Sequence, residues 1–252
     1  MPFLALVFLV LLPPQLVDRT KEATAPPPTQ QEVTSETRAD IYMARKMYRE
    51  AVEGYQEAIK AEPLSAHLYN KIGIAYHQQR HFSEAKRSYN RALQLDKDFS
   101  KALNNLGTVF HAERRFRKAT RAYRKALKIH PDVASVHSNL GTALFSRGKF
   151  KQATEEFLVA LNLDPKVFEH RGRSGTLLQE RSVEDRAKYH FFMARAYASA
   201  GIFDRALLSL RRAFEDGYRK PRQVLQDPAF EPMLDMPELQ TLLGIGPQQA
   251  AR

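Results

Sequence analysis

Residues 104–131 read NNLGTVFHAERRFRKATRAYRKALKIHP and set the pattern for the whole chain. Around the start of this stretch, apolar side chains recur at three- and four-residue steps. They are Leu103, which immediately precedes the stretch, Leu106, Val109 and Phe110. A second series follows, which consists of Phe116, Ala119, Tyr123, Ala126 and Leu127. Because one face of an α-helix repeats at this spacing, the stretch predicts two amphipathic helices joined by a short break at Arg114 and Arg115.

The same pattern recurs every 34 residues. The repeated positions include the glycines Gly73, Gly107 and Gly141 and the alanines Ala51, Ala85, Ala119 and Ala153. An aromatic residue stands three positions before each of these alanines and another stands four positions after it. The repeat divides residues 32–167 into four consecutive units without an insertion, which are 32–65, 66–99, 100–133 and 134–167.

Small residues in each unit predict that its two helices approach closely. Gly107 on the first helix and Ala119 on the second leave space for the bulky Phe116 and Tyr123 to interlock. A single helix pair cannot bury both of its faces, so each pair has to stack on the next one. The sequence therefore predicts an all-α fold with one continuous core along an array of helix pairs.

These residues resemble the tetratricopeptide repeat (TPR) family, whose unit is 34 residues long and carries the same small, aromatic, alanine and proline positions. The resemblance covers residues 32–167, and a fifth unit at 187–220 keeps the pattern after an insert at 168–186. It implies a right-handed α-solenoid of about five helix-turn-helix hairpins. The chain is similar to the bacterial exported members of this family.

Helix-start signals flank the fifth unit. Ser182 and Asp185 have the spacing of a capping box, which would lengthen the first helix of this unit. In residues 221–252, the pairs Asp227-Pro228 and Met236-Pro237 are typical of helix starts. We therefore predict that 221–252 form a short C-terminal helical cap and tail.

The N-terminal residues differ from the rest of the chain. Residues 3–12 (FLALVFLVLL) are uncharged and apolar, but spanning a bilayer takes roughly 20 residues. This length suits the apolar centre of a secretory signal, so we expect a signal-like segment at 1–17 and a Pro-rich linker at 18–31. The expected location is the periplasm or cell envelope, without a transmembrane span in the mature chain. If the segment is not a signal, the cytoplasm is expected instead.

Motifs of enzymatic chemistry are absent from the sequence. The chain has no cysteine, which excludes disulfides and Cys-ligated metals. It also has no Gly-rich phosphate loop, no His-Glu-x-x-His zinc motif and no Gly-x-Ser-x-Gly nucleophile turn. His77 and His81 are four residues apart and could share a metal ion, but no third ligand is placed with them. We therefore expect a protein that is not an enzyme and holds no metal or cofactor.

The TPR resemblance implies that the first helices of the units line an inner groove. The side chains predicted to face this groove are Asn70, Lys71, His77, Asn104, Asn105, His111, Ser138 and Asn139. Asparagine both donates and accepts hydrogen bonds, so a column of amides can bind an extended peptide backbone without reading its sequence. Alternatively, asparagine is simply common at these helix positions. The Lys–Asn pair with which some family members bind chaperone C-termini does not occur at the corresponding positions. A protein or peptide partner is predicted.

Positive charge is concentrated on one helix. The net charge is +11, and the second helix of the third unit contributes Arg117, Lys118, Arg121, Arg124, Lys125 and Lys128. Their spacing predicts a basic outer ridge, which is either a solvated face or a surface for an anionic partner. Such a partner could be lipid head groups, an envelope polyanion or nucleic acid. Aromatic residues do not interleave these cations on the exposed face, which argues against sequence-specific binding of nucleic acid.

Overall fold

A computed structural model describes residues 34–169 and 182–245. The predicted signal-like segment, the predicted linker, most of the predicted insert and the last residues of the chain lie outside the described residues.

Every regular element in the described ranges is a helix. Helices α1 to α10 form consecutive pairs, and three short helices follow them. The bounds of the pairs are Ser35–Ala44 (α1), Tyr48–Ala61 (α2), Ala66–Gln78 (α3), Phe82–Leu95 (α4), Ser100–Ala112 (α5), Phe116–Ile129 (α6), Ala134–Phe145 (α7), Phe150–Leu163 (α8), Val183–Ser199 (α9) and Phe203–Glu215 (α10). The short helices are Pro221–Gln226 (α11), a 3₁₀ helix at Pro228–Met233 and Pro237–Leu243 (α12). The predicted all-α solenoid with a helical cap is confirmed, although α11 was not predicted. None of the described helices is both long enough and apolar enough to cross a membrane.

Aromatic rings packed on glycines hold the two helices of a pair together. A Cβ atom added to Gly107 would lie 2.5 Å from Cε1 of Tyr123, and one added to Gly73 would lie 2.5 Å from Cε1 of Tyr89. Both tyrosines are fully buried. The predicted close approach is therefore present, with the ring of Tyr123 packed directly on Gly107. Phe116 instead contacts the ring of His111, with ring centroids 5.1 Å apart.

The turn inside each pair repeats in the same form. One residue of each turn has a positive φ, and these residues are Lys46, Arg80, Arg114, Gly148 and Gly201. The next residue donates its backbone N–H to a carbonyl five residues earlier, as His81 does to Tyr76 at 2.9 Å. This pattern is a Schellman C-cap, which satisfies carbonyls that the helix end leaves unpaired. The sharp turn places the second helix directly against the first.

In the middle of the array, the first helices of successive pairs lie closer to one another than the second helices do. Helix α5 contacts both α3 and α7 directly, whereas α4 and α6 have less contact with each other. This arrangement places α1, α3, α5, α7 and α9 on the inner side, which we call the first-helix face. Helices α2, α4, α6, α8 and α10 form the outer side, which we call the second-helix face.

The fifth pair connects the array to its C-terminal cap. Ser182 is the N-cap of α9, because its Oγ accepts a hydrogen bond from the backbone N–H of Asp185 at 3.0 Å. This predicted cap makes α9 about one turn longer than α3 or α5. Arg195 on α9 forms an ion pair with Asp227 at 2.7 Å. Asp227 caps the 3₁₀ helix, so this ion pair fixes the cap against α9.

Candidate functional site

A row of asparagines crosses the first-helix face. Nδ2 of Asn105 on α5 donates a hydrogen bond to Oδ1 of Asn70 on α3, at 3.0 Å. Nδ2 of Asn139 on α7 donates to Oδ1 of Asn104 on α5, also at 3.0 Å. The two partners of each bond are 35 residues apart, one repeat plus one residue. We call these four side chains the amide ladder, and it ties three neighbouring first helices together.

Burial divides the predicted groove residues into two groups. Asn70, Ser138, Asn139 and His111 are buried, and Asn139 is not exposed at all. The half-buried members are Lys71, His77, Asn104 and Asn105. Neighbouring first helices pack so closely that polar groups between them bond to each other, as buried polar groups generally do. Asn70, Ser138, Asn139 and His111 therefore lie between packed helices, whereas the other four side chains reach solvent. That the eight side chains line a peptide-binding groove stays a prediction.

Asn104 and Asn105 are the part of the ladder that reaches solvent. A side-chain amide carries two N–H donors and one oxygen with two lone pairs. Each of the 3.0 Å bonds engages one donor or one lone pair of these side chains. The contact from Nδ2 of Asn104 to Oδ1 of Asn105 is long, at 3.5 Å. Both amides are thus oriented by buried neighbours and keep hydrogen-bonding capacity for a partner.

A charged cluster continues the row at α1. Nζ of Lys71 donates to Oε1 of Glu36 at 2.8 Å and to Asp40 at 2.7 Å. The hydroxyl of Tyr55 also donates to Asp40, at 2.6 Å. Partial burial acts to raise the pKa of Asp40, but the hydrogen bonds from Lys71 and Tyr55 outweigh it and hold this pKa below its usual value. The same carboxylates raise the pKa of Lys71 against the opposing effect of burial. This cluster joins α1 to α2 and α3.

The charged cluster should make the first pair sensitive to acid. A carboxyl whose pKa is lowered by folding contributes stability above its ordinary pKa, and this contribution is lost as the pH falls through the folded-state value. We expect Asp40→Asn to lower the melting temperature at pH 7. The parent and variant values should then converge between about pH 5 and pH 2. Thermal denaturation followed by circular dichroism measures both, with Asp235→Asn, at an exposed carboxyl, as the control. A constant difference across this range would contradict the assignment.

Aromatic side chains replace the polar row beyond α7. Phe192 on α9 occupies the unit position that Asn139 has on α7, and its ring stacks on Phe150 with centroids 4.9 Å apart. Phe145 on α7 follows His77 and His111 at the 34-residue spacing, and its ring contacts Phe192 of α9 with centroids 6.2 Å apart. The contacts between successive first helices therefore change along the array. Ion pairs join α1 to α3, amide hydrogen bonds join α3, α5 and α7, and aromatic contacts join α7 to α9.

Tyr89 shows how a change at one unit position affects its neighbour. Its hydroxyl is buried, and the described residues provide no hydrogen-bond partner for it. One unit earlier, Tyr55 donates to Asp40, whereas Ile74 takes the position of Asp40 beside Tyr89. Burial raises the pKa of Tyr89, so the ring stays neutral. Tyr89 serves as a packing residue over Gly73.

The predicted basic ridge lies on α6 of the second-helix face. All of its residues are exposed, and they are Arg117, Lys118, Arg121, Arg124, Lys125 and Lys128. Helix α6 contains no acidic residue. Lys118 lies over the ring of Phe110, with Nζ 5.8 Å from the ring centroid. The ridge is therefore a concentrated positive surface on the side opposite the amide ladder.

The histidines predicted as possible metal ligands pack against aromatic rings. His77 contacts Phe82 with ring centroids 5.8 Å apart, and His81 contacts Tyr76 at 6.3 Å. Burial lowers the pKa of His77. Among residues 34–169 and 182–245, no three His, Asp or Glu side chains form a group that could hold a metal ion.

Comparisons with known proteins agree with this architecture. The family described as "TPR repeat" matches residues 39–79, and the family described as "Tetratricopeptide repeat" matches 66–99 and 100–133. A crystal structure of MamA is 19% identical, with a TM-score of 0.50 over 73% of this chain and 96% of that chain. MamA from Desulfovibrio magneticus RS-1, from residue 41 to its end, is 16% identical, with a TM-score of 0.52 over 73% of this chain and 93% of that chain. At such identities the similarity shows the fold. No curated protein matches the sequence significantly.

Proposed function

The chain is a tetratricopeptide repeat protein, and from this premise we propose that it is a non-enzymatic scaffold that binds a protein or peptide partner along its first-helix face. The observation that carries the proposal is the pair Asn104 and Asn105, half-buried amides that buried neighbours hold in place. A partner would not have to order these side chains, which removes part of the entropic cost of binding.

The chemistry of this face suits an extended backbone. Adjacent amides on α5 can donate to a carbonyl and accept from an N–H of a peptide, whatever its side chains are. Thr108 follows Asn104 by one helical turn and is also half-buried. Its hydroxyl donates to the carbonyl of Asn105 at 2.7 Å, so it adds little specificity. We therefore propose that the centre of the first-helix face binds the peptide backbone, and that residues at the edges of this face provide selectivity.

A photo-crosslinking amino acid at Lys101 tests this proposal in the native cell. Lys101 is exposed and lies one turn before Asn104 and Asn105, on the same side of α5. We expect a cross-linked protein from this position. The double variant Asn104→Ala/Asn105→Ala should reduce its yield about tenfold, because each lost hydrogen bond contributes ~0.5–1.5 kcal/mol.

The controls separate binding from folding. Asn90→Ala/Asn162→Ala removes two exposed amides from the second-helix face and should leave the cross-link unchanged. Thr108→Arg places a bulky charge beside Asn104 without removing a bond of the ladder, and it should also abolish the cross-link. Melting curves establish that each variant is folded. A cross-link that persists in both folded groove variants would refute the proposal.

A further inference from the structure

A cavity of about 350 Å³ opens on the second-helix face between α2 and α4. Its apolar lining comes from Ile59 on α2 and from Tyr69, Ile72 and Tyr76 on α3, which forms the floor. Arg87 and Ser88 of α4 lie along the opposite wall. Ligand pockets begin at about this size and combine an apolar lining with a few polar groups. The cavity therefore has room for a bulky apolar side chain.

The unit positions that line this cleft carry different side chains farther along the array. One unit later, Lys118 and Phe110 take the positions of Glu84 and Tyr76. The side chain of Lys118 lies over the ring of Phe110. Two units later, Glu156 takes the position of Ser88. It contacts Nδ1 of His137, at the position of Tyr69, across 2.6 Å. The cleft between α2 and α4 has small Ser88 at this point.

Two arginines of α4 lie along one side of the mouth of the cavity. The exposed Arg87 lines it, and the guanidinium of Arg91 lies over the ring of Tyr69, 5.7 Å from the centroid. Glu84 also lines the cavity, but Nη2 of Arg87 donates to its carboxylate at 3.2 Å. On α6, Arg121 and Lys125 follow Arg87 and Arg91 at the 34-residue spacing. These four cations form what we call the basic patch, which continues into the ridge of α6.

We infer that the cavity and the basic patch form a second docking site, whose ligand is an acidic protein segment with one bulky apolar side chain. The apolar side chain enters the space between α2 and α4, and neighbouring acidic residues of the segment bind the cations of α4 and α6, which lie on one side of the cavity. Large apolar side chains buried in a pocket and surrounded by polar contacts carry most of the energy of many protein interfaces. This site lies on the face opposite the amide ladder and does not depend on the proposed groove.

The borders of the patch favour an acidic segment over a membrane. Glu53 and Glu57 precede Arg87 and Arg91 by one unit, and Glu155 follows Arg121 by one unit. Arg49 and Lys60 pair with Glu53 and Glu57, so this border offers an anionic bilayer no net attraction. A narrow peptide would contact the cations of the patch alone.

Nucleic acid also fits this surface poorly. Single strands gain much of their affinity by stacking bases on aromatic side chains. Arg91 already covers Tyr69, and Lys118 covers Phe110. An acidic peptide needs only the guanidinium and ammonium groups and the cavity, which remain accessible.

Fluorescently labelled synthetic peptides test the inference. The first is a short peptide of Glu and Asp with a single central Phe, the second has Ser in place of Phe, and the third has Lys in place of the acids. We expect the first peptide to bind, with weaker binding as NaCl is added. The Ser peptide should bind about tenfold more weakly, as expected for an apolar side chain that is no longer buried. The Lys peptide should not bind.

Variants of the protein locate the bound peptide. Arg87→Glu/Arg91→Glu should weaken binding of the Phe peptide at least tenfold. Arg211→Glu/Arg212→Glu makes the same charge change at exposed residues of α10 and should have little effect.

Ser88→Phe should fill the cavity and abolish the difference between the Phe and Ser peptides. If Ser88→Phe does not fold, the two charge variants and the peptide pair still decide the question. Asn104→Ala/Asn105→Ala should bind the Phe peptide normally, so a failure of the proposed groove would not affect this result.

Three outcomes would overturn the inference. The first is no measurable binding of the Phe peptide, and the second is equal affinity for the Phe and Ser peptides, which would indicate charge attraction alone. The third is that phosphatidylserine-containing vesicles or single-stranded oligonucleotides bind more tightly than the Phe peptide does, and that this binding depends on Arg87 and Arg91.

Discussion

Replacing Gly107 with leucine is expected to lower the free energy of unfolding by ~3 kcal/mol. A Cβ atom at this position would lie 2.5 Å from Cε1 and 2.7 Å from Cδ1 of Tyr123. Tyr123 is fully buried, so its ring cannot move away without disturbing the core. Leucine is a better helix former than glycine by almost 1 kcal/mol, which means that helix propensity opposes the predicted loss. The loss would therefore come from separation of α5 and α6.

Thermal denaturation provides the measurement for this substitution. For a protein of this size, ~1 kcal/mol corresponds to about 2–4 °C, so a decrease of about 6–12 °C is expected. Lys101→Leu introduces the same side chain at an exposed position of α5 and should change the melting temperature little. If Gly107→Leu melts at the parent temperature, then Tyr123 does not pack on Gly107 as described.

Replacing Phe191 with alanine should cost ~3–5 kcal/mol, the usual range for a buried phenylalanine. Phe191 is fully buried on α9, and its ring stacks on Tyr218 with centroids 4.4 Å apart. It also contacts Phe230 of the C-terminal 3₁₀ helix, at 6.0 Å. The substitution would leave a space where α9, the end of α10 and the cap meet. The cap should therefore detach at a lower denaturant concentration.

Guanidinium denaturation and limited proteolysis report the two consequences separately. The first gives the loss of stability, and the second detects cleavage near Asp227 when the cap opens. Phe191→Leu retains part of the side-chain volume and should have an intermediate effect. Val183→Ala removes an exposed side chain from the same helix and should be almost neutral. Unchanged resistance of the cap in Phe191→Ala would show that Phe191 does not hold it.

The helix pairs could be predicted from the sequence because one physical requirement repeats in every unit. Small residues at Gly73 and Gly107 have to face large rings at Tyr89 and Tyr123, and this constraint leaves a visible period. Helix α11 lacks such a signal, since it is a single short segment held by burial of Val224. Proline at its first position could have suggested a helix start.

The candidate site could be predicted only in part. The sequence places asparagines on the first helices, but it does not show whether an amide faces solvent or a neighbouring helix. Asn139 is buried because it bonds to Asn104 across a 35-residue separation, which a search for 34-residue spacings does not detect. The cavity between α2 and α4 was missed for a different reason. It depends on the absence of a large side chain at Ser88, and an unfilled space leaves no motif.

The change in chemistry along the first helices gives the two ends of the array different weaknesses. Because each repeat contacts only its neighbours, unfolding of such an array can start at either terminus and proceed from one repeat to the next. Acid and added salt weaken the ionic connection between α1 and α3. Cold weakens the aromatic connection between α7 and α9, since hydrophobic burial loses strength on cooling. We therefore expect acid to loosen the N-terminal pair first and cold to loosen the C-terminal pairs first.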